Sequence, residues 1–437
     1  MSASVFAMNC EANSSVPDTA GTFRRLSRLF SRGYLGSAGT CEYAAYIALA
    51  ASAFLASFSM PAARAAAAIS LVLLVVHSAR TGSRIAFPAT AILATVFALF
   101  ALFATCHGMH PEIGLPRMWK LVWWFIVPLS ATLAGSARRR DVLIKCMVAG
   151  MLVLALRQFT AQPWTATRIY QSGATDSFIG ALVCSGSMTD GQRLMVGVII
   201  ALAWVLQRKQ EDRSASFPVI VLGACLVALV LSFKRGSWIC AVLCGGLLAT
   251  RGMSIRGFLL LLLAGTVVLC LPPVLDRILA LQGEFQEGNG GRFLMWRDIA
   301  PVIIRDHPWG IGWRGLTNEW MRQIAPAVEM NQTHLHSNIL QVIVETGWAG
   351  FAVYAAWMMK ALLDALGLRS AAGSAGEAKL ALGLFFALLA LMLNGIVEYN
   401  FADAEIVLLY AFLMGLTAAG FREYSARRKL SGLCPQG

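Results

Sequence analysis

The chain has 437 residues, of which 57% are hydrophobic and only 14% charged, and it carries a formal net charge of +13. Soluble domains hold about 25% charged residues, so the composition excludes an ordinary soluble enzyme and points to helices that cross a membrane. The positive charge then concerns orientation and contact with anionic headgroups, not nucleic acid, for which no motif is present.

Residues 1–42 read as a basic cytoplasmic tail without the leading apolar run of a cleavable signal peptide. Within it, FRRLSRLFSR from Phe23 to Arg32 fits two readings, a basic amphipathic helix on the inner membrane face or an unstructured tail. Twelve apolar runs follow, at 43–60, 65–79, 87–105, 119–134, 142–157, 194–206, 217–232, 237–250, 257–275, 337–363, 380–396 and 404–421. Several are shorter than the roughly 20 residues of a straight crossing, so their ends extend into the loops. The expected architecture is an all-α polytopic membrane protein of about twelve transmembrane helices. One membrane domain covers 43–421, with a large outer loop at 276–336 and a cytoplasmic tail at 422–437. Most cysteines (Cys146, Cys225, Cys240, Cys244, Cys270) lie in apolar runs and read as small hydrophobes. Cys106 and Cys184 fall in segments read as outer, where a disulfide between them is one option.

Most of the 36 lysines and arginines fall in alternate loops, which places both termini in the cytoplasm. The exceptions are informative. Arg64, Arg117, Lys120, Arg157, Arg168, Arg193, Lys234, Arg235, Arg277, Arg292, Arg297, Arg305, Arg314 and Arg322 fall on the outer side. Cations there work against the orientation rule, and binding a phosphate-rich ligand is the simplest compensation.

Four motifs carry chemistry. In LSFKRGSW (231–238) hardly any loop separates two spans, so Lys234 and Arg235 sit at the outer surface. Arginine forks can embrace a pyrophosphate, and Gly236 would let the chain turn tightly with its N–H groups near an anion. The plainer reading is a snorkelling pair that anchors the hairpin. The long loop contains GGRFLMWR (290–297) and DHPWGIGWRG (306–315). Arg292 and Arg297 are five residues apart and would lie on different sides of a helix. Trp296, Trp309 and Trp313 suit an interfacial layer or stacking on sugar rings. His334 and His336 precede the tenth span. A neutral imidazole suits a general base, while Ser337 and Asn338 suit helix capping. Gly347 and Gly350 suit close helix packing. Glu345, Glu398, Asp403 and Glu405 are membrane-level carboxylates, which either act in function or pair with the outer arginines. No His/Cys/carboxylate spacing indicates a metal or other cofactor.

Taken in order, the Arg-Gly turn, the R-x3-W-R segment, D-H-P-x-G-x-G and H-S-x9-G-x-x-G from His336 to Gly350 resemble the conserved half of the O-antigen ligase and polymerase superfamily, over residues 217–363. Lys234 stands where a small residue often precedes the arginine. The resemblance implies a glycosyltransferase C-type membrane fold in a bacterial inner membrane and a metal-independent enzyme. It implies an undecaprenyl-pyrophosphate-linked glycan as donor and, for a ligase, a sugar of the lipid A core as acceptor. Carried over by motif, Arg235 and Arg292 contact the pyrophosphate and His336 serves the acceptor. Lys234, Arg157, Arg193, Arg297, Arg314, His334 and Glu398 complete the expected substrate-binding set. Ligase is preferred because the outer face is strongly basic and the lipid A core is anionic. A polymerase, a protein O-oligosaccharyltransferase and a lipid-linked glycan transporter are the alternatives.

Overall fold

The computed structural model describes residues 39–433, apart from residue 186, most of 253–269 and residues 280–290. The basic tail before residue 39, most of the expected span at 257–275 and Gly290 lie outside the described residues.

All regular elements among the described residues are helical. They are α1 (Thr40–Leu55), α2 (Met60–Thr81), α3 (Ala89–Cys106), a 3-10 helix (Leu115–Phe125), α4 (Ile126–Leu133), α5 (Ala137–Gln171), α6 (Phe178–Ser185), α7 (Met188–Gln210), α8 (Ser216–Leu231), α9 (Arg235–Thr250), α10 (Pro272–Leu279), α11 (Ala300–Asp306), α12 (Asn318–Ile324), α13 (Asn338–Ser370), α14 (Ala375–Val397) and α15 (Ala404–Leu433), with short helical turns at Pro111–Gly114 and Arg292–Leu294 and a π-helical turn at Met295–Ile299. Seven of the described helices are long and apolar enough to cross a membrane, and α1, α8 and α9 are shorter apolar helices. The chain is therefore a multi-pass, all-α membrane protein.

Two expected elements differ. The run at 119–134 is not one continuous α-helix but the 3-10 helix followed by the eight-residue α4. Arg117 and Lys120 would be costly in hydrocarbon, and the 3-10 helix instead exposes Trp119 and Val122 while burying Leu121 and Trp124. The segment read as a loop after residue 157 continues α5 to Gln171. At 35 residues that helix is about 52 Å long, well beyond a hydrocarbon core of about 30 Å.

The bundle is centred on α7, buried continuously from Gly191 to Leu206, and on α15. Their middles, 194–206 in α7 and 406–416 in α15, are apolar on every face, as buried helices are. Small residues set the approach of neighbours: a Cβ on Gly150 of α5 would lie 2.1 Å from the Phe54 carbonyl oxygen of α1. An aromatic cluster closes the centre. Phe401 packs against Phe97 at 5.5 Å, Tyr354 at 5.0 Å, Trp124 at 5.4 Å and Trp357 at 5.7 Å between ring centroids.

Residues 291–337 form a cap on one end of the bundle. It has its own apolar core, with Met295, Ile299, Ile303, Ile311, Met321 and Leu335 packed against Val344 of α13. The cap is clasped to α13 where that helix breaks at Gly347, φ 68°. Ile311 N donates to Val344 O at 2.9 Å, Gly312 N to Glu345 O at 3.0 Å, and Trp348 N to Pro308 O at 3.3 Å. Gly347 thus does not serve helix packing, as its spacing suggested. A Cβ on it would lie 2.4 Å from Pro308 O, and one on Gly310 2.5 Å from Glu345 O. Gly347→Ala is expected to destabilise the protein by about 1–3 kcal/mol, because both the backbone region and the space exclude a side chain. Gly246→Ala, which meets nothing within 4 Å inside α9, is expected to be neutral or stabilising. Thermal unfolding of the two purified variants checks the contrast.

Candidate functional site

The cap, the N-terminal ends of α7 and α9, and the end of α14 enclose a cavity of about 260 Å³. Four cations line it: Lys234, Arg235, Arg277 and Arg292, against a single carboxylate, Glu398. Lys234 and Arg235 arrive there because α8 ends at Leu231 and α9 starts at Arg235, a hairpin with almost no loop. The tight turn is made by Phe233, φ 54°, and not by Gly236. That glycine lies in the first turn of α9, where a Cβ would meet Asn394 Nδ2 at 2.8 Å, so it brings α9 against α14. Burial and the neighbouring Arg277 push the Lys234 ammonium pKa down, and Glu398 opposes the shift. Arg235 Nη1 donates to Arg277 O at 3.2 Å.

Arg292 opens the cap. Its Nη1 donates to Val397 O at 3.0 Å and its Nη2 to Glu398 Oε1 at 2.5 Å. The other oxygen, Glu398 Oε2, faces His336 Nδ1 at 3.7 Å. His336 Nε2 meets Gln332 Oε1 at 3.0 Å. With the amide oxygen accepting there, Nε2 carries the hydrogen and Nδ1 the lone pair; buried Nδ1 has no hydrogen-bond partner among the described residues. Arg292, Glu398 and His336 therefore form one chain, with a carboxylate between a guanidinium and an imidazole.

The position of His336 is over-determined. Leu335, just before it, is held at both backbone groups: Trp296 Nε1 donates to its oxygen at 2.6 Å and its N–H donates to Gln341 Oε1 at 2.8 Å. His336 itself has φ 50°, a region that costs a non-glycine residue on the order of 1 kcal/mol or more. Ser337 caps α13. Asn338 does not share that role. Its Oδ1 accepts from Asn400 N at 3.0 Å and Phe401 N at 3.1 Å, and its Nδ2 donates to Asn400 Oδ1 at 2.7 Å. It thereby fixes the turn that follows Glu398.

Residues 218–355 match the family model for O-antigen ligase. That match covers about a third of the chain. The matched stretch contains the α8–α9 hairpin, the whole cap and the start of α13. Glu398 lies beyond the matched residues. No curated protein matches the chain.

The remaining expected site residues scatter. His334 packs tilted against His336, 4.3 Å between ring centroids, and near Tyr399 at 5.6 Å. Burial, then the charges of His336 and Arg314, push its pKa down to about 4. Arg314 donates from Nη2 to Ala402 O at 3.2 Å. Arg193 turns away from the cavity, pairing with Asp190 and donating to Ser57 O at 2.6 Å. Arg157 is exposed on α5 and outside the cavity lining. Arg297 forms a two-pronged pair with the adjacent Asp298, at 2.7 and 2.9 Å. Trp296 does line the cavity, but Trp313 is fully buried in the aromatic core and Trp309 is exposed. Trp313 therefore has no face for a sugar. Cys106 and Cys184 are separate free thiols.

Arg277 and Gln332 escaped the sequence-based site, and so did the surroundings of Glu345. Among the described residues that buried carboxylate takes no arginine side chain; it accepts from Arg314 N at 2.9 Å, Gln341 Nε2 at 2.8 Å and Tyr399 OH at 3.1 Å. Among the described residues no group of three or more His, Cys, Asp or Glu side chains is placed to hold a metal ion. A second cavity, about 330 Å³, lies among residues of mixed charge including Arg140, Lys145, Glu211 and Glu423. It contains none of the predicted site residues.

Proposed function

We propose that the chain is an O-antigen ligase. It moves a glycan from an undecaprenyl-pyrophosphate carrier to a sugar of the lipid A core, at the periplasmic face of a bacterial inner membrane and within a glycosyltransferase C-type fold. The observation that carries this reading is the four-cation cavity joined to a histidine through Glu398. A pyrophosphate needs several forked donors, and an attacking sugar hydroxyl needs a proton acceptor beside it.

In the reaction, the acceptor hydroxyl oxygen attacks the anomeric carbon of the donor. The bond from that carbon to the pyrophosphate oxygen breaks, and its electron pair leaves with the pyrophosphate. His336 Nδ1 takes the hydroxyl proton, and Glu398 stabilises the imidazolium that results. Arg235 and Arg292, with Lys234 and Arg277 beside them, stabilise the charge growing on the departing phosphate. No metal is needed for this step, since the leaving group is already good.

Deleting the gene in its host and resolving lipopolysaccharide on a gel tests the reading. A ligase loses the polymer ladder while lipid-linked polymer accumulates. A core bearing a single repeat indicates a polymerase, and an unchanged ladder rules out both. The purified enzyme is expected to keep transferring glycan in EDTA.

A further inference from the structure

A second cationic cluster lies outside the cavity. Arg64, at the start of α2, is sandwiched by the 3-10 helix, its guanidinium 5.1 Å from the ring centroids of both Trp119 and Trp123. Its Nε–H and the Trp123 indole N–H are buried donors with no acceptor among the described residues. Lys120, on the same 3-10 helix, feels Arg314, Arg117 and Arg64, and none of Arg64, Arg117 and Lys120 forms an ion pair among the described residues. Asp403 and Glu405 are the carboxylates that act on this group. They are too few to balance it. None of these cations lines the four-cation cavity. Arg314 is within electrostatic reach of both Lys120 and His334.

Charges of one sign gathered at partly buried positions repel one another and lose hydration. Arginine held between two indoles keeps its fork edge available for an oxyanion. The exposed Trp119 and Val122 on the same helix put the cluster at the level of a lipid headgroup. We infer that Arg64, Lys120 and Arg314, framed by Trp119 and Trp123, form a second anion site that receives a phosphate group of the acceptor lipid. The donor pyrophosphate and the acceptor phosphate then occupy separate cationic clusters. Identifying the ligand as the acceptor rests on the transfer reaction proposed above; the anion site itself does not.

The test is a binding titration of the full chain in phosphatidylcholine nanodiscs with radiolabelled lipid A and its dephosphorylated form. The parent is expected to bind the phosphorylated form about tenfold or more tightly, the worth of one or two charge-assisted hydrogen bonds. Arg64→Gln and Lys120→Gln should each erase most of that preference and leave binding of the lipid-pyrophosphate donor unchanged. Two variants on different elements guard against misfolding of either one. Retention of the preference in both overturns the site. So does equal competition by phosphatidylglycerol, which would make the cluster an interfacial anchor. Displacement of lipid A by inorganic phosphate at matching concentration overturns the assignment to a lipid. Binding is read without transfer, so phosphate-dependent binding by a chain that moves no glycan supports the site and defeats only the ligase reading.

Discussion

Replacing His336 with alanine should lower glycan transfer by about 10²–10⁴-fold, the range a positioned general base supplies, with the chain still folded and inserted. Its Nε2 bonds only the Gln332 side chain, and Nδ1 has no hydrogen-bond partner among the described residues. The neighbouring backbone is instead held by Trp296, Gln341 and the Ser337 cap. Little of the fold depends on the imidazole. His334→Ala is the internal control. Burial holds that ring near a pKa of about 4, too weak a base for the purpose near neutral pH, so its loss should cost far less. Transfer from lipid-linked glycan to lipid A core at matched protein levels separates the two. Near-parental turnover in His336→Ala, or a larger loss in His334→Ala, removes the role assigned to His336.

Arg292→Lys and Arg235→Lys should each reduce transfer by about 10²–10³-fold, the loss of one strong contact to developing charge, although each keeps its charge. Arg292 spends two of its nitrogens on Val397 O and Glu398 and has donors left for a phosphate. Lysine has three donors on one point and cannot span both tasks. Arg292→Lys should hurt more than Arg235→Lys, because it also loosens the carboxylate that faces His336. If the cations merely anchor the helix ends, both lysine variants turn over normally, and the assay reads that outcome directly.

Much of this site was legible because its parts are local. The Arg-Gly turn must sit at a helix end when two spans are joined by three residues, and His336 must stand at a membrane surface when α13 starts two residues later. What escaped depends on contacts between segments distant in sequence. Arg277 stood among the outer cations that oppose the orientation rule, but nothing local says that α10 brings it beside Arg235. Glu345 looked like a partner for an arginine side chain; its actual donors come from residues 314, 341 and 399. The run at 119–134 reads as one helix from its average apolarity, which does not reveal the change from 3-10 to α geometry at Ile126. Trp313 reads from its segment as suited to an interfacial layer or to stacking on sugar rings, whereas tertiary packing draws it into the core.

If the chain acts on a lipid-linked glycan as proposed, the clasp at Gly347 constrains how that polymer reaches the histidine. A lid opens by swinging about its two ends, but this cap is stitched in its middle to α13 by backbone bonds from Ile311, Gly312 and Trp348. Lifting it would strand those amides and uncover the apolar face around Val344. The cap therefore behaves as a fixed roof, and traffic must pass beneath its eaves. A carrier lipid would slide in sideways from the bilayer, its tail never leaving the hydrocarbon, while the sugar chain trails outside. On that geometry the length of the glycan has no bearing on entry.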